Sequence, residues 1–432
     1  MKETVKETKM KLYKHQRDAL IKTKSLSHVA FYHEQGLGKT FTGSEKMHQL
    51  GAKTNLLICQ KSKIDDWYEH FMTYYDFNPC NLTKVKADKL KDFIKASESV
   101  PVPTVFIINY DLVWRRKELL QLIDFTLMLD ESSLIQNEMS NRSQFILKLK
   151  PDNVILLSGT PTSGKYENLW SQLHLLGWNI SKELFYSHYI CYHFDDTSGF
   201  PIRIIDGYKN VDRLKRKMRG YGCHFLKSDE CIDLPDQITQ VIKVPVTKEY
   251  LQFKKDRIVT VEDKEIVGDT LLTKLLYQRQ LCGQYNRDKL DALRDLLEST
   301  GDRVIVFYSF NDELDKISQI VSELGRPISA VNGKEHDLHN YDEWDDSVTL
   351  IQYQAGAYGL NLQKANRVVY FTPPLSSELY EQSVKRIHRI GQSKTCFYYQ
   401  LVCRDSVEER IYQVLAMRRD YTEELFKEEE GV

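Results

Sequence analysis

The chain has 432 residues, with 60 Lys and Arg against 61 Asp and Glu, 41% hydrophobic and 28% charged residues. That length exceeds what one hydrophobic core serves, so two domains of ~200 residues are expected. Ordinary apolar content with 20 Gly and 11 Pro excludes collagen-like, low-complexity and wholly disordered chains, and a net charge of −1 confines any polyanion site to a local patch.

No apolar run approaches the ~18 residues of a membrane helix, and the opening MKETVKETKMK lacks a signal peptide's hydrophobic segment. The eight cysteines contain no C-x-x-C pair and read as reduced thiols of a cytoplasmic protein; Cys223, His224 and Cys231 fit no standard zinc spacing, so no zinc is expected.

In chain order, the first chemistry-bearing stretch is Gly36-Leu37-Gly38-Lys39-Thr40. Glycines let backbone N–H groups close around phosphates, the lysine reaches the outer phosphates, and the threonine hydroxyl can ligate Mg²⁺. The strict phosphate-loop pattern has Gly where this chain has His33. Apolar runs bounded by polar turns follow at 55–60, 104–110, 126–131 and 154–160, as expected for strands buried on both faces of a parallel sheet. The third ends in Asp130-Glu131. Open α/β sheets bind ligands at the carboxyl ends of their strands, so this acidic pair is predicted to face the phosphate loop. Asp130 would hold Mg²⁺ and Glu131 would polarise the attacking water.

The texture changes over about 165–285. Residues 209–219 place Val211, Leu214 and Met218 on one helical face and basic residues on the others, and 257–268 reads as two short strands around a charged turn. LPDQ (234–237) reads as the crossing between lobes. An amphipathic stretch at 288–300 and a second strand series at 303–310, 328–333, 348–354, 367–371 and 398–403 predict a second α/β lobe. Near its end, QSVKRIHRIGQ (382–392) sets Arg386 and Arg389 three apart, neighbours on one predicted helical face. Arginine forks stabilise the charge that spreads over a phosphate's oxygens during γ-phosphate cleavage.

GLGKT, the acidic pair, LLSGTPTSG, QAGAYGLNL (354–362) and QSVKRIHRIGQ occur in the order found in helicase superfamily two. GLNL followed by RIHRIGQ resembles its Swi/Snf-type branch, the double-stranded DNA translocases, as do QKSKIDDWYEHF (60–71) and FIINYDLV (106–113). The resemblance spans about residues 10–415 and is most like short bacterial or phage-encoded members. It implies an α/β fold of two tandem RecA-like lobes with short helical insertions and an ATP site in the inter-lobe cleft. The lobes are expected at 1–236, with a helical insertion about 165–236, and at 237–432, with an insertion about 247–285.

The resemblance also implies roles. Gln16 would read adenine with Tyr13 as a stacking partner, and Gly359 would join Gly36 to Thr40 in binding nucleotide. Ser158, Gly159 and Thr160 would couple nucleotide state to lobe movement, and Arg386 and Arg389 would complete the site. Lys61, Lys63, Asn109 and Tyr110 in the first lobe, and Ser309, Phe310, Gln354 and Gly356 in the second, would grip DNA phosphates.

Two positions depart from the family pattern. Ser133 stands where the family carries a histidine linking hydrolysis to the SGTP motif, and Lys385 where a small or acidic residue is common. The remaining length holds no bromodomain-like or histone-reading module, an expectation against nucleosome remodelling. The resulting reading is an ATP- and Mg²⁺-dependent monomeric motor on duplex DNA, in replication, repair or recombination, with a protein loading partner suggested by the near-zero charge. A strand-separating DNA or RNA helicase and a nucleotide-gated DNA-binding switch are the alternatives.

Overall fold

The computed structural model describes residues 11–195, 201–231, 234–356 and 360–426. They divide into two compact units, one of residues up to Cys231 together with those from Tyr421 on, the other Ile232–Asp420. No helix among the described residues is long and apolar enough to cross a membrane.

In the first unit the strands are β1 His28–His33, β2 Thr54–Cys59, β3 Asn78–Asn81, β4 Thr104–Asn109, β5 Phe125–Asp130, β6 Asn153–Ser158, β7 Ile190–Asp195, β8 Ile202–Tyr208 and β9 Cys223–Leu226. Seven form one sheet in the order β3-β4-β2-β5-β6-β1-β9, every pairing parallel. Successive side chains point to opposite faces. Leu56, Ile58, Phe106, Ile108, Leu127 and Leu129 therefore join one helical layer, while Leu57, Cys59, Val105, Ile107 and Met128 join the other. The unbroken apolar runs are strands covered on both sides, and each fully buried Leu or Ile contributes ~1.5–3 kcal/mol.

The stretch about 165–236, expected to be a helical insertion, is only partly helical. It contains the antiparallel pair β7–β8, and β9 extends the main sheet. Tyr192 and Phe194 alternate with the polar His193 and Asp195, a period of two that favours a strand. The Arg203 guanidinium lies over the rings of Tyr186 and Tyr192 at 4.6 and 4.5 Å, which holds the hairpin to the preceding helix. Strand β9 reaches β1 because Gly222 adopts a positive φ of 85° where an added Cβ would lie 2.3 Å from the His28 carbonyl oxygen. The basic stretch forms helix Val211–Gly220 with Leu214 and Met218 buried, as its periodicity predicts.

The second unit adds β10 Gln237–Val244, β11 Ile258–Val261, β12 Lys264–Val267, β13 Val304–Tyr308, β14 Ile328–Val331, β15 His336–Asp337, β16 Val348–Gln352, β17 Arg367–Tyr370 and β18 Cys396–Cys403. Its sheet runs β10-β18-β17-β13-β16-β14-β15, parallel except for the short β14–β15 pair. The predicted hairpin at 257–268 is β11–β12. Helix Arg287–Glu298 starts where the Asn286 side chain accepts from the Lys289 amide at 3.1 Å. It then buries Lys289 completely against Glu408, Nζ to Oε1 2.6 Å.

Candidate nucleotide-binding site

A parallel sheet delivers the carboxyl ends of its strands to one edge, and the register shows which residues arrive level. Asp130 pairs with Leu157, Tyr32 with Ser158, and Cys59 with Asn109. The phosphate loop after β1, the acidic pair after β5, the SGTP segment after β6 and the basic turn after β2 therefore share one rim.

The loop 34–38 joins β1 to helix Lys39–Leu50. Gly36 and Gly38 have φ of 90° and 70°, and an added Cβ on Gly38 would meet Gln16 Nε2 at 2.5 Å. Helix hydrogen bonding begins with the Phe41 and Thr42 amides donating to the Gly38 carbonyl. The first helical turn has no intrahelical partners for its own amides, so Lys39 and Thr40 stand at a positive helix terminus suited to phosphate. Lys39 Nζ donates to the His33 and Glu34 carbonyls at 3.0 and 3.4 Å. Gly159 is close enough that its Cβ would lie 3.3 Å from Lys39 Nζ, so the SGTP backbone abuts the phosphate-loop lysine.

Gln16 is buried and its carboxamide joins the loop to the start of its own helix. Nε2 donates to the Gly38 carbonyl at 3.0 Å, and Oε1 accepts from the Tyr13 amide at 2.8 Å. Tyr13 is 55% exposed and stacks on His15, centroids 5.7 Å apart. Glu34, which opens the loop, accepts through its carboxylate from the Ser228 amide and hydroxyl. The insertion beyond β9 thus pins the loop from outside, a contact across 194 residues that no local pattern announces.

Asp130 is partly buried and accepts from Trp67 Nε1 at 2.8 Å. Loss of solvation pushes its carboxyl pKa up, opposed by the Trp67 hydrogen bond and the Lys39 charge. Glu131 has φ 56°, a left-handed conformation uncommon outside glycine. The Tyr110 hydroxyl donates to the carbonyls of Asp130 and Glu131 at 2.9 and 3.4 Å. Tyr110 is buried and directed inward, and Asn109 is also buried. Lys61 is exposed, while Lys63 pairs with Asp66 at 2.7 Å. Ser158 Oγ accepts from the Thr160 amide at 3.2 Å, and the buried Thr160 hydroxyl has no hydrogen-bond partner among the described residues.

Oxygen donors on Thr40 and Asp130 suit a hard divalent cation, and a raised Asp130 pKa marks a carboxylate whose desolvation outweighs the nearby Lys39 and Lys63 charges. Its stability consequence has a definite sign. A carboxyl raised above its unfolded pKa of about 3.9 adds stability below that pH, and the gain is lost as pH rises through the folded pKa. Asp130→Asn is therefore expected to raise the thermal midpoint of the nucleotide-free protein at pH 7 and leave it unchanged near pH 3. Melting curves at both pH values check this; a lower midpoint at pH 7 would mean the carboxylate is net stabilising.

In the second unit, Ser309 and Phe310 follow β13, and both amides donate to the buried Glu313 carboxylate, at 2.8 and 3.1 Å. Arg279 donates to Ser309 Oγ at 3.0 Å and lies over the Phe310 ring at 5.0 Å. Gln354 is exposed in the short helix Tyr353–Gly356. Gly359 lies outside the described residues.

Arg386 and Arg389 are not on a helical face. Helix Ser377–Val384 stops before them and both lie in irregular turns. Tertiary bonds outweigh helix propensity here. The Arg386 carbonyl accepts from the Leu362 amide at 3.3 Å, Ile387 enters the core, and the His388 ring bonds the Pro235 carbonyl at 2.8 Å and Gln237 at 3.1 Å. Arg389 donates to the Leu360 carbonyl at 3.3 Å, and burial lowers its pKa.

Two parallel α/β units, one with a phosphate loop facing an acidic pair, define a P-loop protein built on RecA-like lobes. An SNF2-related domain matches residues 18–287 and a helicase conserved C-terminal domain matches 288–391, so the chain belongs to the SNF2-related family. It is 24% identical over 431 residues to the ISWI chromatin-remodeling complex ATPase ISW2 of Saccharomyces cerevisiae, covering 89% of this chain and 38% of that protein. It is 23% identical over 422 residues to an uncharacterized ATP-dependent helicase of Mycoplasma pneumoniae, covering 90% and 39%. The chain thus spans well under half the length of these curated relatives. The Sulfolobus solfataricus SWI2/SNF2 ATPase core in complex with dsDNA is similar at 20% identity and a TM-score of 0.45, over 96% of this chain and 92% of that one.

Proposed function

We propose that the protein is a motor that couples hydrolysis of Mg²⁺-ATP to movement along duplex DNA. The observation that carries this reading is the shared rim, where Gly159 abuts Lys39 beside the acidic pair. In this reading Gly36, Leu37, Gly38, Lys39 and Thr40 cradle the phosphates, with Gln16 holding the loop's shape and Tyr13 and Gly359 serving the base and ribose side. Thr40 and Asp130 hold Mg²⁺, which when bound neutralises phosphate charge. Glu131 takes the proton of the attacking water, and Arg386 and Arg389 stabilise the charge that develops on the transferred phosphate.

Lys61, Lys63, Ser309, Phe310, Gln354 and Gly356 are the proposed backbone contacts, sequence-neutral in kind. Asn109 and Tyr110 act at the root of that surface, since both are buried. We place the protein as a monomer in bacterial or phage-infected cytoplasm, loaded by a protein partner during replication, repair or recombination.

The test is the steady-state ATPase rate with no nucleic acid, duplex DNA, single-stranded DNA and RNA. The expected result is strong stimulation by duplex, absent in Lys39→Ala. Stimulation only by single strands or RNA would replace the reading with a strand-separating helicase. Tight nucleotide-dependent DNA binding with negligible turnover would favour the nucleotide-gated switch, which Ser133 in place of the family histidine motivates.

A further inference from the structure

Gln172 lies in helix Trp170–Leu175, outside every motif singled out above, and is fully buried. A buried carboxamide is costly unless each polar atom is matched, and an apolar side chain of the same length would fill the space at lower cost. Here the matching is with three separate parts of the nucleotide rim. Oε1 accepts from the Ser132 hydroxyl at 2.7 Å and from the Tyr32 hydroxyl at 3.1 Å, while Nε2 donates to the Pro161 carbonyl at 2.8 Å. The carbonyl partner fixes the orientation, because only the amino side of a carboxamide can face a carbonyl oxygen.

Each partner adjoins a different functional segment. Ser132 directly follows Glu131, Pro161 directly follows Thr160, and Tyr32 sits in β1 one residue before its end at the phosphate loop. Glu131 itself has left-handed backbone geometry, which persists only where its surroundings hold it. On one side the Tyr110 hydroxyl fixes the Asp130 and Glu131 carbonyls, and on the other Ser132 is tied to Gln172. Across the rim, the SGTP segment that reaches Lys39 through Gly159 is tied to the same carboxamide through Pro161.

We propose that Gln172 is a positioning residue that links the Glu131 loop to the SGTP segment, supplying by Ser132–Gln172–Pro161 the connection that the resembled family makes through its histidine at the place of Ser133. The inference rests on the ATPase reading above. A shift of the SGTP segment is transmitted through Pro161 and the rigid carboxamide to Ser132, and so to the backbone that aims the Glu131 carboxylate.

The experiment is a double-mutant cycle on the full chain with Ser132→Ala, Gln172→Met and both together. It reads kcat and KM for ATP with and without duplex, alongside thermal midpoints. Each single change is expected to lower kcat about tenfold while KM for ATP stays within about twofold, since one buried hydrogen bond of roughly 1.4 kcal/mol corresponds to a factor of ten. The double variant should fall no further than Gln172→Met alone, because both changes cut one linkage. Ser132→Ala removes a single hydroxyl and keeps the test readable where Gln172→Met does not fold.

Unchanged kcat in the single variants would overturn the proposal. So would effects that multiply in the double variant, or a kcat loss that follows a rise in KM and a fall in thermal midpoint. A wild-type protein that hydrolyses ATP without responding to any nucleic acid would instead set aside the motor reading for the chain without a loading partner, and the cycle would still be read on unstimulated turnover.

Discussion

Glu131→Gln is expected to lower kcat for ATP hydrolysis by about 10²–10⁴-fold, the range over which a positioned general base contributes, while ATP still binds. The glutamine keeps the size of the side chain and most of its hydrogen-bonding capacity, so the backbone at φ 56° and its ties through Tyr110 have no new reason to rearrange. What it cannot do is take a proton from water. In the proposed reading Asp130 would still hold the metal, and Lys39, beside the His33 and Glu34 carbonyls, would still meet the phosphates. A fluorescent ATP analogue titrated against both proteins separates binding from turnover. Turnover in the variant within about threefold of wild type, well below what a lost general base removes, would assign the base elsewhere.

The second large effect is on stability and lies in the second unit. Glu408→Ala is expected to destabilise that unit by about 3–5 kcal/mol, because removing one partner of a buried ion pair leaves the other charge without compensation. Lys289 and Glu408 are both fully buried at 2.6 Å, and Glu408 also accepts from the Cys403 amide at 3.0 Å. Burial, the largest single influence, lowers the lysine pKa, but the Glu408 charge and hydrogen bond together with Cys403 and Cys282 more than offset it, and the net direction is upward.

Without Glu408 the burial contribution dominates and the folded pKa of Lys289 falls below its unfolded value. Stability contributed by the neutral lysine is then lost as pH falls, so the variant should regain stability as pH rises toward 10. Hydrogen exchange along helix Arg287–Glu298 reads this locally, without assuming that two units unfold together. Replacing both partners with apolar residues of similar volume should restore most of the loss. A Glu408→Ala protein with wild-type protection would show that the lysine finds another partner or water.

The two predictions rest on features that differ in how visible they are from sequence. GLGKT and the Asp130-Glu131 pair were legible because phosphate loops and strand-terminal acids are local patterns, set by glycine's φ freedom and by the carboxyl ends of parallel strands. The Lys289–Glu408 pair was not, since its members lie 119 residues apart and each reads alone as a solvated helix charge.

The same division runs through the fold. Apolar runs at 55–60, 104–110, 303–310 and 367–371 announced buried strands, and the period of Val211, Leu214 and Met218 announced an amphipathic helix. β1 is not among the predicted strands although HVAFYH carries the same apolar texture. β9 could not be seen at all: four residues become a strand only because Gly222 lets them approach β1.

The arginine motif failed in a different way. Its spacing fits a helical face, but Ile387 and His388 make contacts outside the helix that outweigh propensity, which is worth only tenths of a kcal/mol per residue.

By itself, then, the sequence determined the class of protein, the two α/β halves and the glycine-rich loop and acidic pair that share one rim, since all of these depend on contiguous patterns. Only the tertiary structure decided that Trp67 braces Asp130, that Ser228 holds Glu34, that Tyr110 turns inward, and that Gln172 ties Ser132 to Pro161. Hydrogen bonds between residues distant in sequence have no period and no motif. They exist only once the strands have aligned their ends.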